Sequence, residues 1–493
     1  MLLSDAARAH ACGHGRRYHL GRWLRACVVV VLLAAVAGAG AIVAPVATPR
    51  AAADVTITLD GHGYGHGIGL SQWGAYGYAV EDEFSWPYTE ILDHYYGGTI
   101  AGTVPVDTVI TVRLQALDNA QTAVVSATGR LVVDGVPGGP WKSVVARETA
   151  TGYSVWGNAD AEVCPSTGSL SGNWSAPTAV NTSVTIRTQA NSSTATDYSA
   201  LASVCAPNGS LRAYRGVIRA INDANGLART VNEVPVEQYL RSVIAKEMSP
   251  SWGAAGDGKG MEALKAQAVA ARSYGLAENR YTYAKTCDST SCQAYYGAAT
   301  RTSVGSGFSQ VEYPLTDQAV LDTAGIVRRV ATDPWPIAYT MFSASSGGWT
   351  APGTSSLAPF PAVIDGGDDT APNPNHDWSA TLTGNAIAAK YPTIGSFTSL
   401  EVLARNGYGD WGGRVTSLRV AGTSGSVTVT GDAFRSAMGL KSNWFNVRGS
   451  APLDRCADLV PPAAAPVAAG GLVSPADPDG LLPALRCIWP VAG

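Results

Sequence analysis

Glu247 is the residue whose position in the sequence best suits it to act as an acid. The residues before it place apolar or aromatic side chains at helical spacing, at Val236, Tyr239, Leu240, Val243 and Ile244. Glu247 comes three residues after Ile244 and four after Val243, so it continues the same face. Burial of a carboxyl group disfavours its charged form and raises its pKa, as a general acid requires. The sequence therefore predicts a catalytic carboxyl group at Glu247.

The helix that carries this carboxyl group has recognisable ends. Asn232 or Glu233 is expected to cap its start, and Pro235 suits its first turn. Pro250 disfavours helical geometry at the residue before it. The helix is therefore expected to end at or just after Glu247.

A second group of polar side chains lies in the glycine-rich stretch Gly61–Ala75. Glycine at alternate positions disfavours a helix and indicates backbone packed close to another segment, or a loop with unusual dihedral angles. The stretch presents His62, His66, Ser71 and Gln72 as candidate substrate contacts, with a purely architectural role of the backbone as the alternative. The spacing of the two histidines suits metal ligands only on a helix, so no metal or other cofactor is expected.

The elements around these residues are predicted to be a mixture of strands and helices. Strands are predicted at 54–60, 108–114, 123–126, 130–133, 183–187, 214–219, 415–420 and 426–430, and helices at 88–96, 261–279 and 432–439. The helix at 261–279 is rich in alanine, which lets another element approach closely. The predicted fold class is α+β, a mixed β-rich domain with a two-helix segment that carries the acid.

Residues 1–53 are predicted to be an export segment. Arg16, Arg17, Arg22 and Arg25 precede the apolar run 26–46, and Ala51–Ala53 offers small residues for cleavage. An uncleaved membrane anchor is the alternative, and it would be the only membrane contact. Residues 54–447 are expected to form the main domain, with 155–210 as a surface insertion, and 448–493 a tail rich in proline and alanine.

The cysteines indicate an oxidising compartment. Two of the eight lie in the export segment, and the even number that is left points to disulfides. Their clustering along the chain favours the pairs Cys164–Cys205, Cys287–Cys292 and Cys456–Cys487. A zinc site at the middle pair is the less favoured alternative.

The charge balance argues against nucleic acid as a partner. The whole chain has a net charge of −4, and the export segment holds six arginines and one aspartate, which leaves about −9 on the exported part. Such a surface does not attract an anionic polymer, so binding to one would depend on contacts in a groove. With 46% hydrophobic and 15% charged residues, the chain can bury a large core.

Several segments together match the pattern of one family. They are Val231–Leu240 with Ala245–Met248, Glu262–Tyr274, Cys287–Gly297, Ser345–Gly348 and Gly431–Leu440. With Gly61–Ala75, they resemble the stage II sporulation protein D and amidase-enhancer family of bacterial cell-wall proteins over most of residues 54–447. The glycine-rich segment usually closes the family's domain and here begins it, which implies a circular permutation. The resemblance therefore implies that this segment packs against residues 340–447 and completes the cleft at Glu247. Ser343 stands where some members have a histidine, so the zinc site of those members is not expected.

The resemblance implies a lytic transglycosylase that acts on the glycan strands of peptidoglycan. Glu247 would be the acid and then the base, and the product would be a 1,6-anhydromuramyl end. Such an enzyme needs one carboxyl group, whereas hydrolases of glycosides use two. Gln293, Tyr295, Ser345 and Ser346 are then expected to contact amino sugars.

The resemblance also implies a cellular location for the protein and an alternative function. The protein is expected to be secreted or extracytoplasmic and associated with the cell wall. The alternative function is a non-catalytic glycan-binding module that enhances a partner amidase. A peptidase is disfavoured because the sequence contains no Gly-x-Ser-x-Gly elbow.

Overall fold

The computed structural model describes residues 54–168, 170–190 and 194–449. The predicted export segment, the tail from residue 450 and the Cys456–Cys487 pair lie outside these residues. The helices of the described part are α1 (Gln72–Val80), α2 (Tyr88–Tyr95), α3 (Val236–Glu247), α4 (Met261–Ala277), α5 (Pro314–Asp322), α6 (Gly384–Lys390) and α7 (Gly431–Met438). None of them is both long and apolar enough to span a membrane.

The strands of the described part number twenty-four and are short. They are β1 (Thr56–His62), β2 (Leu70–Ser71), β3 (Thr99–Thr103), β4 (Val109–Arg113), β5 (Thr122–Val125), β6 (Leu131–Val133), β7 (Ser143–Thr149), β8 (Gly152–Asn158), β9 (Thr178–Val180), β10 (Val184–Thr188), β11 (Ala202–Cys205), β12 (Leu211–Tyr214), β13 (Val217–Asn222), β14 (Ala228–Pro235), β15 (Thr286–Cys287), β16 (Ala299–Arg301), β17 (Ser309–Gln310), β18 (Ile326–Val330), β19 (Phe342–Ser343), β20 (Asp377–Thr383), β21 (Phe397–Arg405), β22 (Val415–Gly422), β23 (Gly425–Val429) and β24 (Phe445–Val447).

These strands form two large sheets and several small ones, which confirms the α+β class. One large sheet has the order β15-β4-β14-β13-β10-β6, and the other has the order β17-β16-β12-β11-β5-β7-β8-β9. The small sheets have the orders β20-β1-β24, β21-β22-β23, β18-β3 and β19-β2. Strand β14 leads directly into α3, so the first large sheet fixes the start of the helix that carries Glu247.

Helix α4 is the centre of the helical layer. Almost all of its residues are buried, and its alanines let α1, α2, α3 and α5 pack around it. Tyr239, Leu240 and Ile244 on α3 are fully buried in the same core. Burial of these apolar side chains holds α3 and α4 together and thereby fixes the direction of the α3 C-terminus.

The first described strand pairs with strands from the far end of the chain. Strand β1 is antiparallel to both β20 and β24, and β2 runs parallel to β19. Leu59 on β1 is buried in a second core with Phe434 and Phe445. The segment that follows β1 therefore starts from a fixed position beside residues 340–447.

One expectation about strands is corrected. The predicted strand 214–219 is two strands, because Gly216 has a positive φ of 74° and reverses the chain between β12 and β13. The predicted surface insertion 155–210 contributes β10 and β11 to the two large sheets, and Ile186 and Leu201 are fully buried. That span is therefore partly core, since its apolar strand residues are needed to complete the sheets.

Two of the predicted disulfides are confirmed. Cys164 pairs with Cys205, with 5.8 Å between the Cα atoms, and Cys287 pairs with Cys292, with 5.6 Å between them. The second disulfide closes a tight loop that approaches the end of α3.

Candidate active site around Glu247

Helix α3 ends at Glu247, as predicted, but it starts differently. Pro235 is its N-cap residue, whereas Asn232 and Glu233, the predicted caps, lie within β14. The buried Asn232 amide donates to the backbone oxygens of Arg215 and Val217, 2.9 Å and 3.0 Å away, and so serves the sheet. The strand runs straight into the helix without a side-chain cap, and the backbone N–H of Val236 donates to the backbone oxygen of Thr108 at 2.8 Å.

The Glu247 side chain is half-buried and hydrogen-bonded. The backbone N–H of Ala294 donates to its Oε1 at 2.8 Å, and the side chain of Gln72 also hydrogen-bonds it. Burial raises the pKa of Glu247 above its usual range, and these two hydrogen bonds offset part of that rise because they favour the carboxylate. A carboxyl group in this environment can give up a proton and then be stabilised as an anion.

Glu247 opens into a cavity with a volume of 540 Å³. The walls of the cavity come from the stretch after β1, the start of α1, the ends of α3 and α4, the loop closed by Cys287–Cys292, the segment around β19, and α7. The lining side chains that carry charge or a ring are Tyr64, His66, Lys246, Glu247, Tyr274, Arg280, Tyr339, Phe342 and Arg435. Among the described residues that line it, Glu247 is the one carboxylate.

Gln72 reaches Glu247 because α1 begins at that residue. Ser71 is the N-cap of α1, and its Oγ accepts from the N–H of Gly74 at 3.1 Å and donates to Asp368 at 2.6 Å. The glycine-rich stretch was expected to contain no helix, and this is corrected from Gln72 onward. The cap and the buried environment outweigh the low helix propensity of the glycines in α1.

The glycines before α1 allow the backbone to pack against the segment 343–346. A Cβ atom on Gly63 would lie 2.7 Å from the backbone oxygen of Ser346, and one on Gly65 would lie 2.6 Å from the Cβ of Ser343. Both glycines also have positive φ angles. This close approach is what places Tyr64 and His66 at the cavity wall.

His66 lines the cavity, and its ring is hydrogen-bonded to backbone groups. Its Nδ1 accepts from the N–H of Ile68 at 2.9 Å, and the ring also hydrogen-bonds the backbone of Phe342. Burial, together with the positive charges of Arg414 and Arg435, lowers the pKa of His66 to about 4. The imidazole is therefore neutral near pH 7, and we expect it to shape the cavity wall and not to transfer protons.

Gln293 and Tyr295, which were predicted to contact amino sugars, do not line the cavity. Both are buried. Gln293 accepts from the hydroxyl of Tyr239 at 2.8 Å, and the Tyr295 hydroxyl donates to Asn232 at 2.6 Å. Their polar atoms are hydrogen-bonded to other core residues, and the backbone N–H of the residue between them, Ala294, donates to Glu247 instead.

Ser71, Ser345 and Ser346 are also buried away from the cavity. They surround Asp368, which accepts from the hydroxyls of Ser71 and Ser345 and from the backbone N–H groups of Ser346 and Gly347, at 2.6 to 3.0 Å. Their role is structural, because this network ties the start of α1 to the segment 344–347.

His62 lies outside the Glu247 cavity as well. Its ring stacks on Trp411, with 4.5 Å between the centroids, and its Nδ1 lies 2.6 Å from Oδ1 of Asp377. Of the predicted contacts, the structure therefore brings only His66 and Gln72 to the cavity with Glu247.

Sequence reasoning missed the buried acidic pair Asp365 and Asp368. Burial and the adjacent Asp368 carboxylate raise the pKa of Asp365 to about 7. Burial alone would raise the pKa of Asp368, but hydrogen bonds from His376, Ser71 and Ser345 hold it below its usual range. The run Asp365-Gly-Gly-Asp368 has no spacing typical of a site, so the sequence offered no signal for it.

The described residues contain no group of three or more His, Cys, Asp or Glu side chains arranged to hold a metal ion. The cations at the cavity are instead Lys246, Arg280 and Arg435. Arg280 forms an ion pair with Glu278, and Arg435 lies 3.9 Å from Asp432.

Comparison with known proteins gives one family match over this site. Residues 224–329 match the SpoIID family, described as Stage II sporulation protein. The matched span holds α3, α4 and the Cys287–Cys292 loop, and thus Glu247. An uncharacterized protein of Brachyspira hyodysenteriae is 52% identical over 46 residues, which cover 9% of this chain and 11% of that relative. No solved structure matches the chain at a significant level.

Proposed function

We propose that the protein cleaves the glycan strands of peptidoglycan by a lytic transglycosylase mechanism, with Glu247 as the acid and then the base. The observation that supports this most is the single carboxyl group in a cavity otherwise lined by rings, cations and small polar groups. Glycoside hydrolases place a second carboxylate about 5 to 9.5 Å from the first. A transglycosylase needs no such partner.

In the proposed reaction, protonated Glu247 donates its proton to the glycosidic oxygen as the bond from that oxygen to C1 breaks. The carboxylate that results is stabilised by the N–H of Ala294 and by Gln72. It then takes the proton of the muramic C6 hydroxyl, whose oxygen attacks C1. The product carries a 1,6-anhydro ring, and Glu247 is protonated again.

The SpoIID match over residues 224–329 supports a cell-wall role related to sporulation. The two disulfides fit a protein that works outside the cytoplasm. We also propose that the glycine-rich segment after β1 is the permuted end of the family's domain. The lining of the Glu247 cavity by Tyr64, His66 and Gln72 supports this assignment.

The test is the mass of the products. The purified protein is incubated with glycan strands that carry stem peptides and with strands that lack them, and anhydromuramyl ends are expected by mass spectrometry. Glu247→Gln is expected to abolish them. Reducing ends without the anhydro mass would indicate hydrolysis instead.

Glu278→Gln is the matched control, because it makes the same substitution at another carboxyl group, buried close to the cavity. Glu278 is buried and accepts from Tyr339, a cavity residue, but it does not line the cavity. The variant is expected to give the same anhydro product. If wild type and Glu247→Gln bind strands equally and neither releases any product, the protein is a binding module, and stimulation of an added amidase is then the activity to measure.

A further inference from the structure

His62 lines a second cavity, separate from the one described above. Its volume is 430 Å³, and its walls include the rings of His62, Trp378 and Trp411 and the carboxylates of Asp60 and Asp377. Aromatic walls with a few polar groups are typical of ligand pockets.

Trp411 is held in an unusual backbone conformation at this cavity. Its φ is +55°, in the left-handed region that disfavours a residue with a side chain. Its indole is half-exposed and stacks on His62. Backbone strain that presents a ring to a cavity is a feature of ligand-binding sites, where function maintains it.

Trp378 supplies a second, more buried ring. Its Nε1 donates to the backbone oxygen of Gly63 at 2.9 Å, and its ring packs against Gly61, where a Cβ atom would come within 2.2 Å of it. The glycine at position 61 therefore makes room for this ring, and Trp378 is fixed in place.

The carboxylates of this cavity already have partners. Asp60 accepts from Arg448 and from the hydroxyl of Ser379, both at 2.6 Å, and Asp377 accepts from His62 at 2.6 Å. Their remaining lone pairs can accept from hydroxyl groups. Aromatic rings that can pack on the apolar face of a sugar, beside carboxylates that are already hydrogen-bonded, suit a neutral sugar better than a charged ligand.

We infer that this cavity is a second sugar subsite, which holds a neutral N-acetylhexosamine of the same glycan strand away from the bond at Glu247. The nature of the ligand rests on the proposed function. The chain from His62 to His66 links the two cavities, because Tyr64 and His66 line the first. Four residues span at most about 14 Å. A strand a few sugars long covers that distance.

The test measures binding in a Glu247→Gln background, so that no strand is cleaved. Trp411→Gly removes the ring and relieves the backbone, and Trp335→Gly is its matched control. Trp335 also has a positive φ, of 53°, is 54% exposed, and lines neither cavity. Isothermal titration is carried out with long peptidoglycan glycan strands and with a single disaccharide unit, and the Tm of each variant is recorded.

Trp411→Gly is expected to raise the Kd for long strands about tenfold, as loss of an aromatic contact does. It should leave the Kd for the disaccharide unchanged, and Trp335→Gly should change neither. An unchanged Kd for long strands overturns the inference, and so does an equal loss of affinity for the disaccharide or the absence of binding by the parent protein. A competition experiment tests the neutral character of the ligand. Displacement of bound strands by spermidine, but not by N-acetylglucosamine oligomers, would also overturn the inference. Binding through Trp411 without any anhydro product from wild type would refute the proposed cleavage and leave the subsite standing.

Discussion

Replacement of Glu247 by glutamine separates the chemistry of the carboxyl group from its packing. The amide has nearly the same shape and keeps an oxygen that accepts from the N–H of Ala294, now 2.8 Å from Oε1. It has no proton acid enough to donate to a glycosidic oxygen. The variant is therefore expected to fold, to bind glycan and to cleave very little of it.

The size of the loss follows from the cavity. General acid catalysis contributes about 10²- to 10⁴-fold, which corresponds to about 2.7 to 5.5 kcal/mol of barrier. Glu247 is needed twice, as acid and as base, and the described lining of the cavity offers no other carboxylate. We expect kcat to fall by about 10⁴-fold, at the upper end of this range.

The same variant gives a stability readout with a defined sign. Burial raises the pKa of Glu247, so the folded protein binds this proton more tightly than the unfolded chain. The stability that this bound proton contributes to the wild type is therefore fully present below the pKa of Glu247 in the unfolded chain. It is lost as pH rises through the pKa of Glu247 in the folded protein. Glutamine has no proton to lose, so the Tm of Glu247→Gln relative to wild type should increase over that window.

The assays are release of anhydromuramyl ends under saturating glycan and thermal unfolding from pH 4 to pH 9. A kcat within about tenfold of wild type would show that another group is the acid. A relative Tm that falls as pH rises would refute the claim that burial penalises the charge of Glu247.

Three further predictions concern the residues around this site. Gln72→Leu removes a hydrogen bond that favours the Glu247 carboxylate, so the alkaline limb of the pH profile of kcat/KM should move to higher pH; an acid shift would contradict this. Asp368→Asn places an amide among five hydrogen-bond donors and should lower the free energy of unfolding in urea by about 3 kcal/mol; an unchanged midpoint would show that the network is dispensable. Joint replacement of Cys164 and Cys205 by serine removes a disulfide that spans 41 residues and should lower the free energy of unfolding by about 4 kcal/mol. A change below about 1 kcal/mol would show that the unfolded chain is already constrained without this disulfide.

The local features of the candidate site could be predicted from the sequence. Helix periodicity and Pro250 located the end of α3 at Glu247, and the clustering of cysteines paired Cys164 with Cys205 and Cys287 with Cys292. These predictions depend on neighbours in sequence, whose spacing determines which side chains share a face or can be linked.

Residue type was a poor guide to which polar side chains reach the cavity. Gln293 and Tyr295 looked like ligand contacts, but their polar atoms are used inside the core. A buried polar group must find a partner, and the sequence alone does not show whether that partner is a ligand or another buried side chain. The prediction for Ser345 failed to place it in the core for the same reason, because the sequence did not reveal its buried partner Asp368.

The sequence by itself determined that Glu247 ends an amphipathic helix and continues its buried face, because both are properties of one short segment. The sequence offered Gln72 and His66, some 180 residues earlier, as candidate contacts together with His62 and Ser71, and only the tertiary structure decided which of the four share a cavity with Glu247. That depends on the pairing of β1 with β20 and β24 and on close packing of the glycines against residues 343–346. Such contacts depend on how the whole core packs, and they place His62 at one cavity and His66 at the other.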